Sequence, residues 1–410
     1  MDKQLRARLA LPAGVIGLLL AATAVTASPL GLPPVPVPAD NPQTPEKIAL
    51  GDKLFHDKRF SVTGDIACSN CHERTKGFAD GPLKTSEGHH KLTGTRNAPT
   101  VANAAYFTSM FWDGRSKDLE DQSQHPFVNP VEMGLANHDP ILKIVATDPD
   151  YVAAFQKVFG APAGSVSMKQ VQQAIASFER TLVFGNSPFD RYYFGHDKSA
   201  MSPAAVRGFK VFLEDGRCVS CHVIEQNQAL FTDNRFHNIG VGVNRIQAEA
   251  PKLLSTFLDA KSRGADVDRA VLTDPKVSEI GRFAITETLD DIGAFKTPTL
   301  RNVAVTAPFM HDGSLATLRE VVVHYNNGGV TPAGAPVNDY LSGGIRPLNL
   351  TDQQIDDLVA FLEALTSPEF APQAAAKTAA GSGCSVPAKV AATPANASAL
   401  TIAQVSGGVR

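Results

Sequence analysis

The chain has 410 residues, a formal net charge of −3 and 43% hydrophobic residues. That length and apolar content suffice for two cores of ordinary size. The near-neutral balance argues against a nucleic-acid partner or electrostatic recruitment to an anionic membrane.

Lys3, Arg6 and Arg8 precede an apolar run from Leu9 to Val25, and Val25-Thr26-Ala27 leads into Ser28. Residues 1–27 read as a secretory signal peptide with small residues at the cleavage positions. An uncleaved anchor is the competing reading, because the run is nearly long enough to span a bilayer. Residues 28–43 are Pro-rich and read as an extended leader. Thr44-Pro45 is a helix cap with proline at the first helical position, and Ile48, Leu54 and Phe55 then share a face. Ser167 with Gln170 makes a capping box ahead of Val171, Ile175, Phe178 and Leu182 at helical period. Ser202-Pro203 repeats the cap-plus-proline signal before Val206, Phe209 and Phe212, and Thr351 with Gln354 opens a helix carrying Ile355, Leu358, Phe361 and Leu362. No alternating run calls for a sheet. From residue 372 the composition collapses to Ala, Ser, Thr, Gly and Val, so 372–410 reads as a disordered tail holding the isolated Cys384.

Two words carry the chemistry: Cys68-Ser69-Asn70-Cys71-His72 and Cys218-Val219-Ser220-Cys221-His222. Both are Cys-x-x-Cys-His, the attachment sequence of c-type haem. Two thiols a turn apart each form a thioether with one vinyl group, and the adjacent His becomes the proximal iron ligand. Together the words use four of the five cysteines. A zinc site built from two Cys-x-x-Cys halves, or a pair of redox disulfides, leaves the His after both pairs unexplained. Two covalent haems are therefore expected. Covalent haem attachment in bacteria occurs outside the cytoplasm, which agrees with the signal and predicts a periplasmic protein. An amphipathic helix precedes each word, Gly51 to Phe60 and Val206 to Leu213. The expected architecture is all-α, with two cytochrome-c-like haem domains at 44–200 and 201–371.

Further segments occur in order: Gly94-Thr95-Arg96-Asn97-Ala98-Pro99-Thr100, Phe111-Trp112-Asp113-Gly114-Arg115, Asn129-Pro130-Val131-Glu132-Met133, Lys296-Thr297-Pro298-Thr299-Leu300-Arg301-Asn302 and Ala307-Pro308-Phe309-Met310-His311-Asp312-Gly313. With both haem words, this set resembles the bacterial di-haem cytochrome c peroxidases and their MauG-like relatives over about Pro45 to Pro368. The resemblance implies a peroxidatic N-terminal haem and an electron-transfer C-terminal one, with Trp112, the only Trp of the chain, between them. It places the acid–base carboxylate at Glu132, the distal hydrogen-bonding amide at Gln122 and a pocket residue of the MauG-like branch at Pro126. A Glu in such a pocket should have a raised pKa and suit proton transfer during peroxide cleavage.

The sixth iron ligands separate the branches of the family. His89 occupies the position of the peroxidases' removable N-terminal ligand, seven residues before Arg96, with His90 as its neighbour and rival; MauG-like members lack that ligand. At the C-terminal haem the peroxidases use Met seventeen residues after the Pro of the Ala-Pro segment. Counting from Pro308 arrives at Tyr325, the MauG-like residue, with Met310 and then His324 as alternatives. Tyrosinate favours oxidised iron, whereas a thioether raises the potential. The family's calcium ion, held by one Asn side chain and two carbonyls, maps to Asn97, Thr306 and Pro308. The implied activity is reduction of hydrogen peroxide with electrons from a small cytochrome c or cupredoxin. A MauG-like oxidase acting on a protein or small molecule, and a non-catalytic di-haem carrier, are the competing readings. Family members are often homodimers. The stretch from residue 223 to 295 carries no assignable motif and reads as a cover for the second haem.

Overall fold

The computed structural model of the protein describes residues 28–330, 334 and 337–374. The signal pattern at 1–27 and Cys384 lie outside the described residues. The described chain is helix-rich, with one two-stranded sheet. No described helix is long and apolar enough to cross a membrane.

The caps read from sequence form. Thr44 Oγ1 accepts from Lys47 N at 3.2 Å, Ser202 Oγ from Ala205 N at 3.1 Å, and Thr351 Oγ1 from Gln354 N at 3.3 Å, while Ser167 N donates to Gln170 Oε1. Each satisfies an amide that the first helical turn leaves unpaired.

Each half is built on one crossing of two helices. Pro45–Phe55 packs on Met168–Glu179, and Pro203–Leu213 on Asp352–Glu363. The crossings are close because each contains a glycine. A Cβ on Gly51 would collide with the Ala174 carbonyl oxygen, and one on Gly208 with that of Asp357. Around the first crossing Leu50, Leu54, Phe55, Phe60, Phe127, Val171 and Ile175 form a core. Around the second, Phe189, Phe212, Phe231, Leu358 and Phe361 form another.

The likeness of the halves extends past the helices. Pro99-Thr100-Val101-Ala102-Asn103 and Pro298-Thr299-Leu300-Arg301-Asn302 adopt the same turn. Both asparagines are left-handed, at φ 63° and 62°, and their side chains accept from Phe184 N and Ser367 N. Phe111 and Met310, also at positive φ, open matched turns closed by the bridges Met110–Ser116 and Phe309–Leu315. A helix capped by Asp118 follows the first turn, and one capped by Thr317 the second. Left-handed backbone costs a non-glycine residue about 1–2 kcal/mol, so its recurrence at matched places marks one scaffold used twice.

Three features depart from the sequence reading. The division expected near residue 200 falls earlier in the packing: Phe189 centres the second core, and Asp190 is held by both guanidinium nitrogens of the buried Arg301, at 2.9 and 3.0 Å. The leader is docked, with Leu32 and Asn41 buried, Gly31 O accepting from Arg301 Nη2 and Pro33 O from the Tyr106 hydroxyl. Between the antiparallel strands Phe236–His237 and Phe295–Lys296 the chain makes a lobe with its own core, including Val243, Leu254, Phe257, Val271, Ile280 and Phe283.

Candidate active site

Each Cys-x-x-Cys-His word opens onto a cavity. Cys68, Cys71 and His72 line one of about 180 Å³, and Cys218, Cys221 and His222 one of about 420 Å³. None of the four thiols is in a disulfide. His72 donates from Nδ1 to Phe78 O at 3.2 Å, and His222 from Nδ1 to Phe231 O at 2.8 Å. Phe78 and Phe231 are both left-handed, at φ 58° and 52°, which delivers their carbonyls to the rings. With Nδ1 bound to a carbonyl, each imidazole keeps Nε2 for a metal, the usual arrangement of a metal-ligating His. Burial lowers the pKa of both rings and favours the neutral, ligating form. Apolar cavities, paired thiols and oriented imidazoles fit covalent haem at both places.

The N-terminal cavity brings together Glu132, Gln122, Pro126 and Trp112. Burial pushes the Glu132 carboxyl up to about 7, with Asp268 adding to the rise and the Arg115 charge opposing it. A carboxyl poised there exchanges protons efficiently near neutral pH. His89 does not line this cavity. Its backbone N–H donates to Glu132 O and its ring Nε2 to Pro130 O at 2.9 Å, so it braces the loop that carries Glu132 from behind, and His90 is exposed beside it.

Trp112 lines both cavities and donates from Nε1 to Asn97 O at 2.9 Å. Lys296 also borders both. Burial holds its amine down to about 7, and Nζ donates to Ser109 O at 2.7 Å. In the larger cavity Tyr325 and Met310 both reach the lining, and burial pushes the Tyr325 phenol up. His324, the third candidate, is buried away from it with Nε2 donating to Ile239 O at 2.8 Å. Asn97, Thr306 and Pro308 share the lining of the larger cavity, and Asn97 Nδ2 donates to Lys84 O.

Four residues here were not singled out from the sequence. Arg115 ends the Phe-Trp-Asp-Gly-Arg segment and lines the N-terminal cavity, and Lys296 heads the Lys-Thr-Pro-Thr-Leu-Arg-Asn segment. His125 precedes Pro126. Asp268 has no motif around it. It arrives from the inserted lobe, whose Leu272 also lines the N-terminal cavity. The lobe read as a cover for the second haem therefore reaches the first.

Comparison with known proteins agrees with this geometry. Residues 45–198 match the model of the di-haem cytochrome c peroxidase family. The chain is 41% identical over 371 residues to the cytochrome-c peroxidase IdrP1 of Denitromonas iodatirespirans, covering 88% of this chain and 93% of that one. The chain belongs to the di-haem cytochrome c peroxidase family. Within this family it is also 35% identical over 331 residues to the methylamine utilization protein MauG of Methylorubrum extorquens, covering 81% of each. The solved structure of a MauG-like protein associated with microbial copper homeostasis superposes with a TM-score of 0.66 at 31% identity, over 84% of this chain and 97% of that one. Membership implies two c-type haems, which the paired cavities fit.

Proposed function

We propose that this protein reduces hydrogen peroxide to water in the periplasm, drawing electrons singly from a small cytochrome c or cupredoxin. The observation that carries the reading is that Glu132 and Gln122 line the same cavity as Cys68, Cys71 and His72. Bound haem supplies the iron that takes the peroxide oxygen and stores the electrons. Each turnover consumes one peroxide, two electrons and two protons and yields two waters. Glu132 accepts a proton from the oxygen nearer the iron and returns it to the departing one, and the Gln122 amide orients the substrate. Trp112, bordering both cavities, is the bridge by which electrons entering at the C-terminal site reach the N-terminal one. Tyr325 would hold the C-terminal haem opposite His222, the reading that competes with Met310; both line that cavity. The Asn97 side chain and the Thr306 and Pro308 carbonyls would hold a calcium ion between the halves. Its chelation should lower turnover with both haems still attached, and added calcium should restore it.

Glu132→Gln tests the central assignment. Both haems should remain covalently bound while peroxide turnover falls roughly 10²- to 10⁴-fold, the range of a lost general acid–base group. Unchanged turnover in that variant removes Glu132 from the reaction. In the parent protein kcat/KM for peroxide should rise with pH through about 7 as the carboxyl ionises.

A MauG-like oxidase is the second reading. It is favoured by the Tyr325 phenol at the larger cavity and by the engagement of His89 Nε2 with Pro130 O, outside the N-terminal cavity. Stopped-flow mixing with peroxide separates the two. Prompt re-reduction by reduced cytochrome c supports the peroxidase, and a long-lived protein two equivalents above rest supports the oxidase.

A further inference from the structure

The N-terminal pocket has a wall that the first half of the chain does not make. Helix Val267–Thr273 of the inserted lobe carries Asp268 to the outer side of that pocket, where its carboxylate forks. Asp268 Oδ1 lies 2.9 Å from Arg115 Nε, and Oδ2 accepts from His125 Nδ1 at 2.8 Å. The Arg115 side chain is only 5% exposed, its Nη1 is bound by Asp113 at 3.0 Å, and its guanidinium lies 3.5 Å over the Phe111 ring. His125, the residue before Pro126, has a buried Nε2 with no hydrogen-bond partner. Thr95 donates to Val271 O at 2.9 Å, which ties the same helix to the first half a second time.

We propose that Asp268 is a positioning residue for peroxide reduction: it fixes the Arg115 guanidinium in the lining of the N-terminal pocket and ties it to His125, the residue before the lining Pro126, so that the second half of the chain completes the active site of the first. The inference rests on the assignment of that pocket as the peroxide site. Hydrogen-bonded to Asp113 and ion-paired through Nε with Asp268, without a hydrogen bond at Nε, the guanidinium is confined between two carboxylates, and it borders the same cavity as Glu132. Cleavage of the O–O bond leaves the bonding electron pair on the departing oxygen, which the Glu132 proton converts to water. A cation fixed beforehand beside that oxygen stabilises the developing charge without reorganising at the moment of reaction. The matching turn of the C-terminal half has Ser314 where Arg115 stands, and His324 Nε2 is engaged by the Ile239 carbonyl. The charged wall is thus particular to the N-terminal site.

The test uses the intact di-haem protein with Asp268→Asn, Asp268→Glu, Arg115→Lys and, as a control on the pocket assignment, Glu132→Gln. In Asp268→Asn, kcat/KM for peroxide should fall roughly 10- to 100-fold, the scale of a displaced catalytic group, with most of the loss in kcat. Cyanide affinity of the oxidised protein, a readout independent of turnover, should weaken several-fold, with haem content and the resting spectrum of the C-terminal haem as in the parent. Asp268→Glu, which keeps the charge, should recover part of the rate. Should Asp268→Asn fail to retain haem, Arg115→Lys decides the question, because it keeps the positive charge and removes the two-carboxylate grip. It should lose kcat with both haems present. Parent values of kcat/KM and cyanide affinity in Asp268→Asn, or parent kcat in Arg115→Lys, with Glu132→Gln inactive, overturn the positioning role alone. A fully active Glu132→Gln overturns the pocket assignment and this inference with it.

Discussion

In the N-terminal half, the short helix Leu119–Gln122 that starts at the Asp118 cap is followed by a second, His125–Val128, which opens with His125 and Pro126. In the C-terminal half, the helix that starts at the Thr317 cap leads through His324 to Tyr325. Pro126 and Tyr325 each line their own cavity. A proline ring offers iron nothing, whereas a phenol offers an oxygen. The same contrast recurs wherever the two halves are laid side by side. Trp112 matches His311, Arg115 matches Ser314, and Glu179 matches Leu362, one residue beyond Phe178 and Phe361 at the two glycine crossings. One scaffold thus puts Glu132, Glu179 and Arg115 in the lining of one cavity and, in the other, a lining with a built-in candidate ligand. The backbone repeats at the turns, and the chemistry differs in the side chains that the turns present.

Among changes that exchange one half for the other, the largest expected effect comes from the decisive pair. Pro126→Tyr gives the N-terminal pocket the phenol of its counterpart. If it occupies the iron face about 99% of the time, peroxide turnover falls roughly 100-fold, because only the remaining fraction is competent. The resting N-terminal haem spectrum should change at the same time. Parent turnover with a parent spectrum would mean that the two positions are not equivalent. The converse change, Tyr325→Phe, should alter the electron paramagnetic resonance signal of the C-terminal haem and leave that of the N-terminal haem in place. An unaltered C-terminal signal would transfer the ligand role to Met310.

Much of this comparison could be read from the residues, and what could not has a physical cause. The caps at Thr44, Ser167, Ser202 and Thr351 are local, set by contacts within one turn, so four residues suffice to announce them. The haem words are equally local. Glu132, Gln122 and Pro126 came from resemblance, since nothing in their own neighbourhood marks them. Asp268 could not be found either way. Its role depends on a lobe folding back on a pocket more than a hundred residues earlier, through two side-chain contacts that leave no spacing in the sequence. The docking of the leader is not legible for a related reason. Its proline content suggests extension and does not reveal that Arg301 and Tyr106 hold its carbonyls. A division near residue 200 leaves Phe189 in the first half, whereas its ring packs in the second core, a long-range contact that leaves no local signal.

The two crossings should respond alike to one substitution. Gly51→Ala and Gly208→Ala each force a methyl group against a backbone carbonyl that cannot step aside. Overpacking of this kind costs about 1–3 kcal/mol, or about 2–4 °C of melting temperature per kcal/mol for halves of this size. Calorimetry on both variants checks it. A loss at only one glycine would show that the halves share their shape without sharing the tightness of the crossing.

The last effect appears only as a pH dependence and concerns Glu179, where the second half carries leucine. Its side chain lines the N-terminal cavity, and its Oε2 is buried with no hydrogen-bond partner. Burial pushes the carboxyl up to about 8, with Glu120 adding to the rise and the neighbouring Arg180 opposing it. The folded protein therefore holds the proton more tightly than the unfolded chain, whose carboxyl ionises near 4.5. Below that pH both states are protonated and Glu179 carries no ionisation penalty. Between about 4.5 and 8 the unfolded state gives up the proton and the folded state keeps it, so stability declines as pH rises, and above 8 the penalty is constant. Glu179→Gln removes the ionisation and should flatten that part of the melting-temperature profile, raising the melting temperature at pH 8 relative to the parent. A parent-like slope in the variant would mean that Glu179 is already ionised in the folded protein, with a cation of the loaded site as its partner. That would make it part of the site's charge balance and not a buried acid.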